Sequence, residues 1–188
     1  MLKNNKKEVF VTLLIILILS VASIVCTYSI SKSKSRDKAN LYLKMTGDRH
    51  ISITNKLPIS DELGKTIDES DDMKSYVEFS IKNTSDEDLD YDIYVVKDNS
   101  KSTIKNSYVK FYLTDISDTA LDGFTNNMLP NYDDLLSLSD KPAGKLLYSG
   151  TIRAKTKTNY KLRVWLSDTY AMNTDLEKFN AKLSIKVK

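Results

Sequence analysis

The chain has 188 residues, room for one domain of about 100–200 residues and a short appendage. Twenty-eight Lys+Arg against 25 Asp+Glu leave a net charge of +3, too little to mark a nucleic-acid binder. A single cysteine, Cys26, excludes an intramolecular disulfide framework and a multi-cysteine zinc site, and a single histidine, His50, makes a His-rich metal site or a His-relayed triad a poor bet.

The first element is apolar. Val9 to Cys26 reads VFVTLLIILILSVASIVC, without a charge. As a helix it spans about 27 Å, close to a hydrocarbon core of about 30 Å, and it has no polar face. Continued through Tyr28 to Ile30, it predicts a single-pass membrane segment over 9–30, preceded by a basic tail over 1–8 that holds Lys3, Lys6 and Lys7. Ser20-Val21-Ala22 offers small residues for signal cleavage, but the apolar run exceeds the usual signal core of about 7–15 residues. The expectation is an uncleaved anchor, with a secreted domain as the outcome if the segment is removed. Lys32, Lys34, Arg36 and Lys38 follow the helix and pull against a tail-in orientation. A short tail ahead of a long folded part is nevertheless the plan of an exported protein. The expected location is therefore the cell membrane, with the domain outside.

Ser31 to Lys38 has no apolar residue and reads as a polar tether, leaving 39–188 as the domain. From there the hydrophobic period is two. Leu41–Met45 and Arg49–Thr54 are weak strand candidates. Residues 76–82 place Val77, Phe79 and Ile81 on one face, and 89–96 do the same with Leu89, Tyr91, Ile93 and Val95. The turn formers of 83–88 between them predict a hairpin. Further strands are expected at 107–114, 145–152, 159–166 and 179–187, with a helical turn at 132–138. This pattern predicts an all-β chain, an antiparallel β-sandwich of seven or eight strands, jelly-roll or Ig-like, preceded by the transmembrane helix.

Candidate sites are few. Asp86, Asp88, Asp90 and Asp92 resemble the start of a calcium loop, but an EF-hand count puts Tyr91 where Gly is required and Lys97 where Glu belongs. No HExxH, GxSxG or phosphate-cradling glycine loop is present, so no catalytic, metal or cofactor residue is assigned and the protein is read as non-enzymatic. A hydrolase with carboxylates paired by folding is the remote alternative.

On strand 159–166, Trp165 shares parity with Lys161 and Arg163, opposite the apolar set. An outward Trp/Arg/Lys face, extended by Lys182 and Lys186, is a candidate binding face for carbohydrate or another ligand, unless neighbouring loops cover it. Charge is also segregated along the chain. Residues 61–100 carry −9 and 141–188 carry +8, so Asp86, Asp88, Asp90 and Asp92 form a candidate face complementary to the basic one. Such a dipole favours self-association or docking on an anionic wall polymer, unless the two regions are adjacent strands that neutralise each other.

The apolar N-terminal segment, the turn Asn83-Thr84-Ser85 leading into Leu89-Asp90-Tyr91, Tyr160 to Leu166, and the closing strand Phe179–Val187 resemble TasA/camelysin-type surface β-sandwich proteins of Gram-positive bacteria. The resemblance implies a jelly-roll-like sandwich, export, and self-assembly or a matrix role. Protease activity attributed within that group is not carried over, because no metal-ligand motif stands at any position. The expected function is that of a membrane-anchored surface protein whose sandwich mediates self-association or wall and matrix contact, with an extracellular ligand-binding module as the alternative.

Overall fold

The computed structural model describes residues 43–54, 57–69, 76–126, 128–137, 144–171 and 177–188. The expected tail, membrane segment and tether, residues 1–38, lie outside the described residues. All the described residues belong to one compact unit, Tyr42–Lys188.

Among them nine strands form two antiparallel sheets. They are β1 (Leu43–Gly47), β2 (His50–Thr54), β3 (Tyr76–Asn83), β4 (Leu89–Lys97), β5 (Val109–Asp115), β6 (Leu136–Ser137), β7 (Gly144–Ile152), β8 (Lys157–Leu166) and β9 (Lys178–Val187). Sheet one has the order β1-β3-β8-β5 and sheet two β2-β9-β4-β7-β6. One short helix, α1 (Asp61–Gly64), and a 3₁₀ turn, Asn106–Tyr108, complete the regular elements. The β-sandwich expectation holds, with nine strands in place of seven or eight. The expected helical turn near 132 is a tight turn followed by the two-residue β6.

The alternation read from the sequence does select the inner faces. Val77, Phe79 and Ile81 of β3, Tyr160, Leu162, Val164 and Leu166 of β8, and Val109, Phe111 and Leu113 of β5 are buried from sheet one. Ile51, Ile53, Tyr91, Ile93, Val95, Phe179, Ala181 and Leu183 meet them from sheet two in one cluster. Each Val, Leu, Ile or Phe among them contributes about 1.5–3 kcal/mol by leaving water. The sheets are also tied by a hydrogen bond between the hydroxyls of Tyr91 and Tyr160, both buried in the core. Burial is the main reason that both phenols are held above the ordinary tyrosine range.

The expected β3–β4 hairpin is absent. Strand β3 pairs with β1 and β8, whereas β4 pairs with β7 and β9, so residues 84–88 cross from one sheet to the other. Asn83, fully buried, fixes that crossing: its Nδ2 donates to the carbonyls of Glu87 (2.8 Å) and Ile152 (3.2 Å), and its Oδ1 accepts from Ser85 N (2.9 Å) and Oγ (2.7 Å). The β1–β2 connection also crosses, over Asp48 and Arg49. Gly47 serves it with φ +111°, where a Cβ would stand 2.5 Å from the Glu78 carbonyl oxygen.

Candidate functional site

The outward face of β8 is not a surface. Trp165 is 2% exposed and Arg163 is 5% exposed. The segment 57–69 lies over them: Ile59 N donates to the Leu166 carbonyl (3.0 Å), and Gly64 of α1 rests against the indole. Arg163 is fully committed. Its Nε donates to the Ile67 carbonyl (2.6 Å), one terminal nitrogen to Thr114 Oγ1 (3.3 Å) and the other to Asp118 Oδ1 (2.6 Å). The Tyr76 and Tyr112 rings flank it at 5.7 and 5.9 Å. Lys161 reaches Asp118 Oδ2 at 2.9 Å. Arg163, then Lys161, hold the Asp118 carboxyl below the usual carboxylate range. The exposed Trp/Arg/Lys face is thus corrected: the parity of β8 points these residues outward, and a covering segment buries Arg163 and Trp165.

The complementary charged faces are corrected as well. Lys182 and Lys186 stand on β9, and Lys186 is the register partner of Asp92 on neighbouring β4. Lys161, Arg163 and Trp165 belong to the other sheet. Lys186 therefore lies beside the acidic row, whereas Lys182 pairs with Val96 further along β4.

Each of the four acids has its own partner. Asp86 meets Lys155 (3.0 Å), Asp88 accepts from Ala154 N (2.8 Å), and Asp90 accepts from Thr151 Oγ1 (2.6 Å). Asp92 accepts from Ser149 Oγ (2.6 Å) and Tyr94 OH (2.9 Å) and pairs with Lys188 (2.9 Å). Asp90 and Asp92 fasten β4 to β7, and Asp86 and Asp88 tie the 84–88 crossing to the loop between β7 and β8. Among the described residues no three His, Cys, Asp or Glu side chains are placed to hold a metal ion.

What stays open is the outer face of sheet two. A groove of about 450 Å³ runs between β2, β9 and the loop that follows β4, lined by His50, Ser52, Asn99, Lys101, Asn180 and Lys182 among others. Register builds it. His50 faces Lys182 and Ser52 faces Asn180 across β2 and β9, with their side chains on the outward parity.

The loop wall is held by its hydroxyls. Ser102 Oγ donates to the Asn180 carbonyl (3.1 Å), Lys178 N donates to Thr103 Oγ1 (2.9 Å), and Asn180 Nδ2 donates to the Lys101 carbonyl (2.7 Å). Lys101 is exposed and pairs loosely with Asp98 at 3.4 Å. The Ser100 hydroxyl, then Lys101, hold the Asp98 carboxyl below its usual range. The Lys182 side chain is exposed and forms no ion pair or hydrogen bond with the other described residues, and Lys186, two places along the same strand face, is likewise exposed. The exposed ammonium of Lys182 and the His50 side chain beside it, at the edge of a shallow groove, are equipped to receive an anion.

The sequence left His50 without a role. Its position opposite Lys182 follows from the β2–β9 register, which pairs the beginning of the domain with its end. No protein-family model matches the chain, and no characterised protein matches it in sequence.

Proposed function

We propose that the protein is a non-enzymatic, membrane-anchored cell-surface protein, held by residues 9–30, whose jelly-roll-type sandwich contacts an anionic wall or matrix polymer through the outer face of sheet two. The observation that carries this reading is the unpaired Lys182, set opposite His50 in an open polar groove with Lys101 on its rim and Lys186 along the same strand. A repeating polyanion bridges groups spaced along one strand face, and long-range attraction of this kind concentrates and orients it. The resemblance to TasA/camelysin-type surface proteins supports the surface location.

The test is sedimentation of the purified protein with Gram-positive cell walls, and with walls stripped of their phosphate polymers. Binding should need the polymers and weaken steeply above about 0.15 M salt, where the Debye length falls to about 8 Å. The triple variant Lys101→Gln, Lys182→Gln, Lys186→Gln should lose at least about tenfold in bound fraction. Equal binding by that variant would remove the groove from the account.

Self-association is a second reading. It is favoured by Leu136, 68% exposed, on the rim of an apolar groove of about 410 Å³ beside β6 and β7. Oligomers that persist in high salt and dissociate on Leu136→Lys would select it.

A further inference from the structure

The outer face of sheet one carries a second basic feature, at the opposite end of β8 from the covered Trp165. Register sets three lysines side by side. Lys44 of β1 is the partner of Lys82 of β3, and Lys82 is the partner of Lys157 of β8. Partners in register share a face, and theirs is the outer one, because the adjacent Met45 and Ile81 point into the core. Neighbouring strands stand about 4.8 Å apart, so the row crosses three strands in about 10 Å.

All three side chains are exposed, and among the described residues none of them forms an ion pair. Acids nearby in the chain are engaged elsewhere. Asp86 pairs with Lys155, Asp88 accepts from Ala154 N, and Glu78 accepts from the Tyr76 hydroxyl. The next row along the face, Thr46, Ser80 and Asn159, carries no charge. Like charges set directly opposite one another on a sheet destabilise it. A row of three with no paired acid is unfavourable within the fold, and a negative surface laid against it removes that repulsion.

Chain length selects the surface. β1 is the first strand, and Lys44 stands fourteen residues after Ile30, where the expected membrane segment ends. Even fully extended, that much chain spans no more than about 50 Å. So short a connection keeps the row at a high effective concentration beside lipid. The open groove belongs to the outer face of the other sheet, so the two basic faces do not compete. We propose that Lys44, Lys82 and Lys157 dock the outer face of sheet one on anionic phospholipid headgroups. The inference rests on the reading of 9–30 as a membrane anchor. Docked in this way, the domain turns the groove of sheet two away from the bilayer. Each lysine near such a surface strengthens the attraction about fivefold.

The test is lysine footprinting of the full-length chain in lipid nanodiscs, with a water-soluble acetylating reagent and mass spectrometry. One disc is phosphatidylcholine alone; the other is equal parts of phosphatidylcholine and phosphatidylglycerol. In the anionic disc Lys44, Lys82 and Lys157 should acetylate at least about fivefold more slowly than in the neutral one, with Lys182 and Lys186 reacting equally in both. The protection should vanish at about 1 M salt, where the Debye length is about 3 Å. Lys82→Glu sets an acid between two lysines, so the urea midpoint should not fall. Lys44 and Lys157 should nevertheless react equally in the two discs. If the parent chain co-elutes with the discs but its three lysines react equally in both, the docking is overturned and the anchor stands. A chain that co-elutes with neither disc removes the anchor and the docking together. Protection in neutral discs that requires added wall polymer, or that rises with protein concentration, assigns the row to that polymer or to a second copy and overturns the lipid assignment.

Discussion

Trp165 shows how one side chain decides whether a strand face is surface or interior. Its indole meets Gly64 so closely that a Cβ there would lie 2.2 Å from Cε2 and 2.4 Å from Cδ2. The α1 backbone must ride directly on the ring, and only glycine lets it. Gly64→Ala therefore overpacks the contact and should destabilise the domain by about 1–3 kcal/mol, read as a lower urea midpoint at unchanged slope. A midpoint equal to the parent's would mean that α1 is not seated on the indole. Periodicity could place Trp165 on the outer parity of β8, but parity says which way a residue points and nothing of what lies on top. The available signal was weak: Ile59, Gly64 and Ile67 are spread over a segment with no strand or helix period.

At the scale of elements, the same limit explains the crossing at 83–88. A hairpin sets two strands edge to edge at about 4.8 Å, and a crossing sets them face to face at about 10 Å; either arrangement buries one face of each strand. The alternation of β3 and β4 is compatible with both, so the sequence predicted the strands and their inner faces but not their pairing. The fully buried Asn83, whose carboxamide is used at both ends, marks the crossing physically.

The covering segment is a second case. It hangs from Arg163 through the Ile67 carbonyl and from β8 through Ile59. Arg163→Ala leaves that carbonyl without its donor and Asp118 with Lys161 alone, whereas Lys161→Ala removes only one exposed pair. The expected result is faster trypsin cleavage after Lys65 in Arg163→Ala and parent-like cleavage in Lys161→Ala. Equal protection of Lys65 in both variants would show that the segment is held by packing on Trp165 alone.

Over the whole molecule, the charge segregation of the sequence is folded into short-range neutralisation. The two acids of β4, Asp90 and Asp92, lie between β7 and the lysine-bearing β9, and Asp92 faces Lys186 in register. Their effect should appear in acid stability. For Asp92, burial raises the carboxyl pKa, but Ser149, Lys188 and Tyr94 together outweigh it and the net shift is downward. Asp118 is lowered by Arg163 and then Lys161.

A carboxyl lowered in the folded state stabilises it wherever the unfolded group is also ionised, above about pH 3.9. That contribution is lost as pH falls through the still lower folded values, because the unfolded chain then binds more protons. At low ionic strength the thermal midpoint should therefore change little from these groups between about pH 7 and 5 and fall between about pH 4 and 2. Asp118 is suited to isolate the charge: its φ of 63° is a conformation that asparagine also tolerates, so Asp118→Asn removes the ionisation without adding strain. Combined with Asp92→Asn, it should lower the midpoint at pH 7 and flatten the acid limb. A double variant that keeps the parent's slope below about pH 4 would mean that other carboxylates carry the acid transition and that these two pairs act by geometry alone.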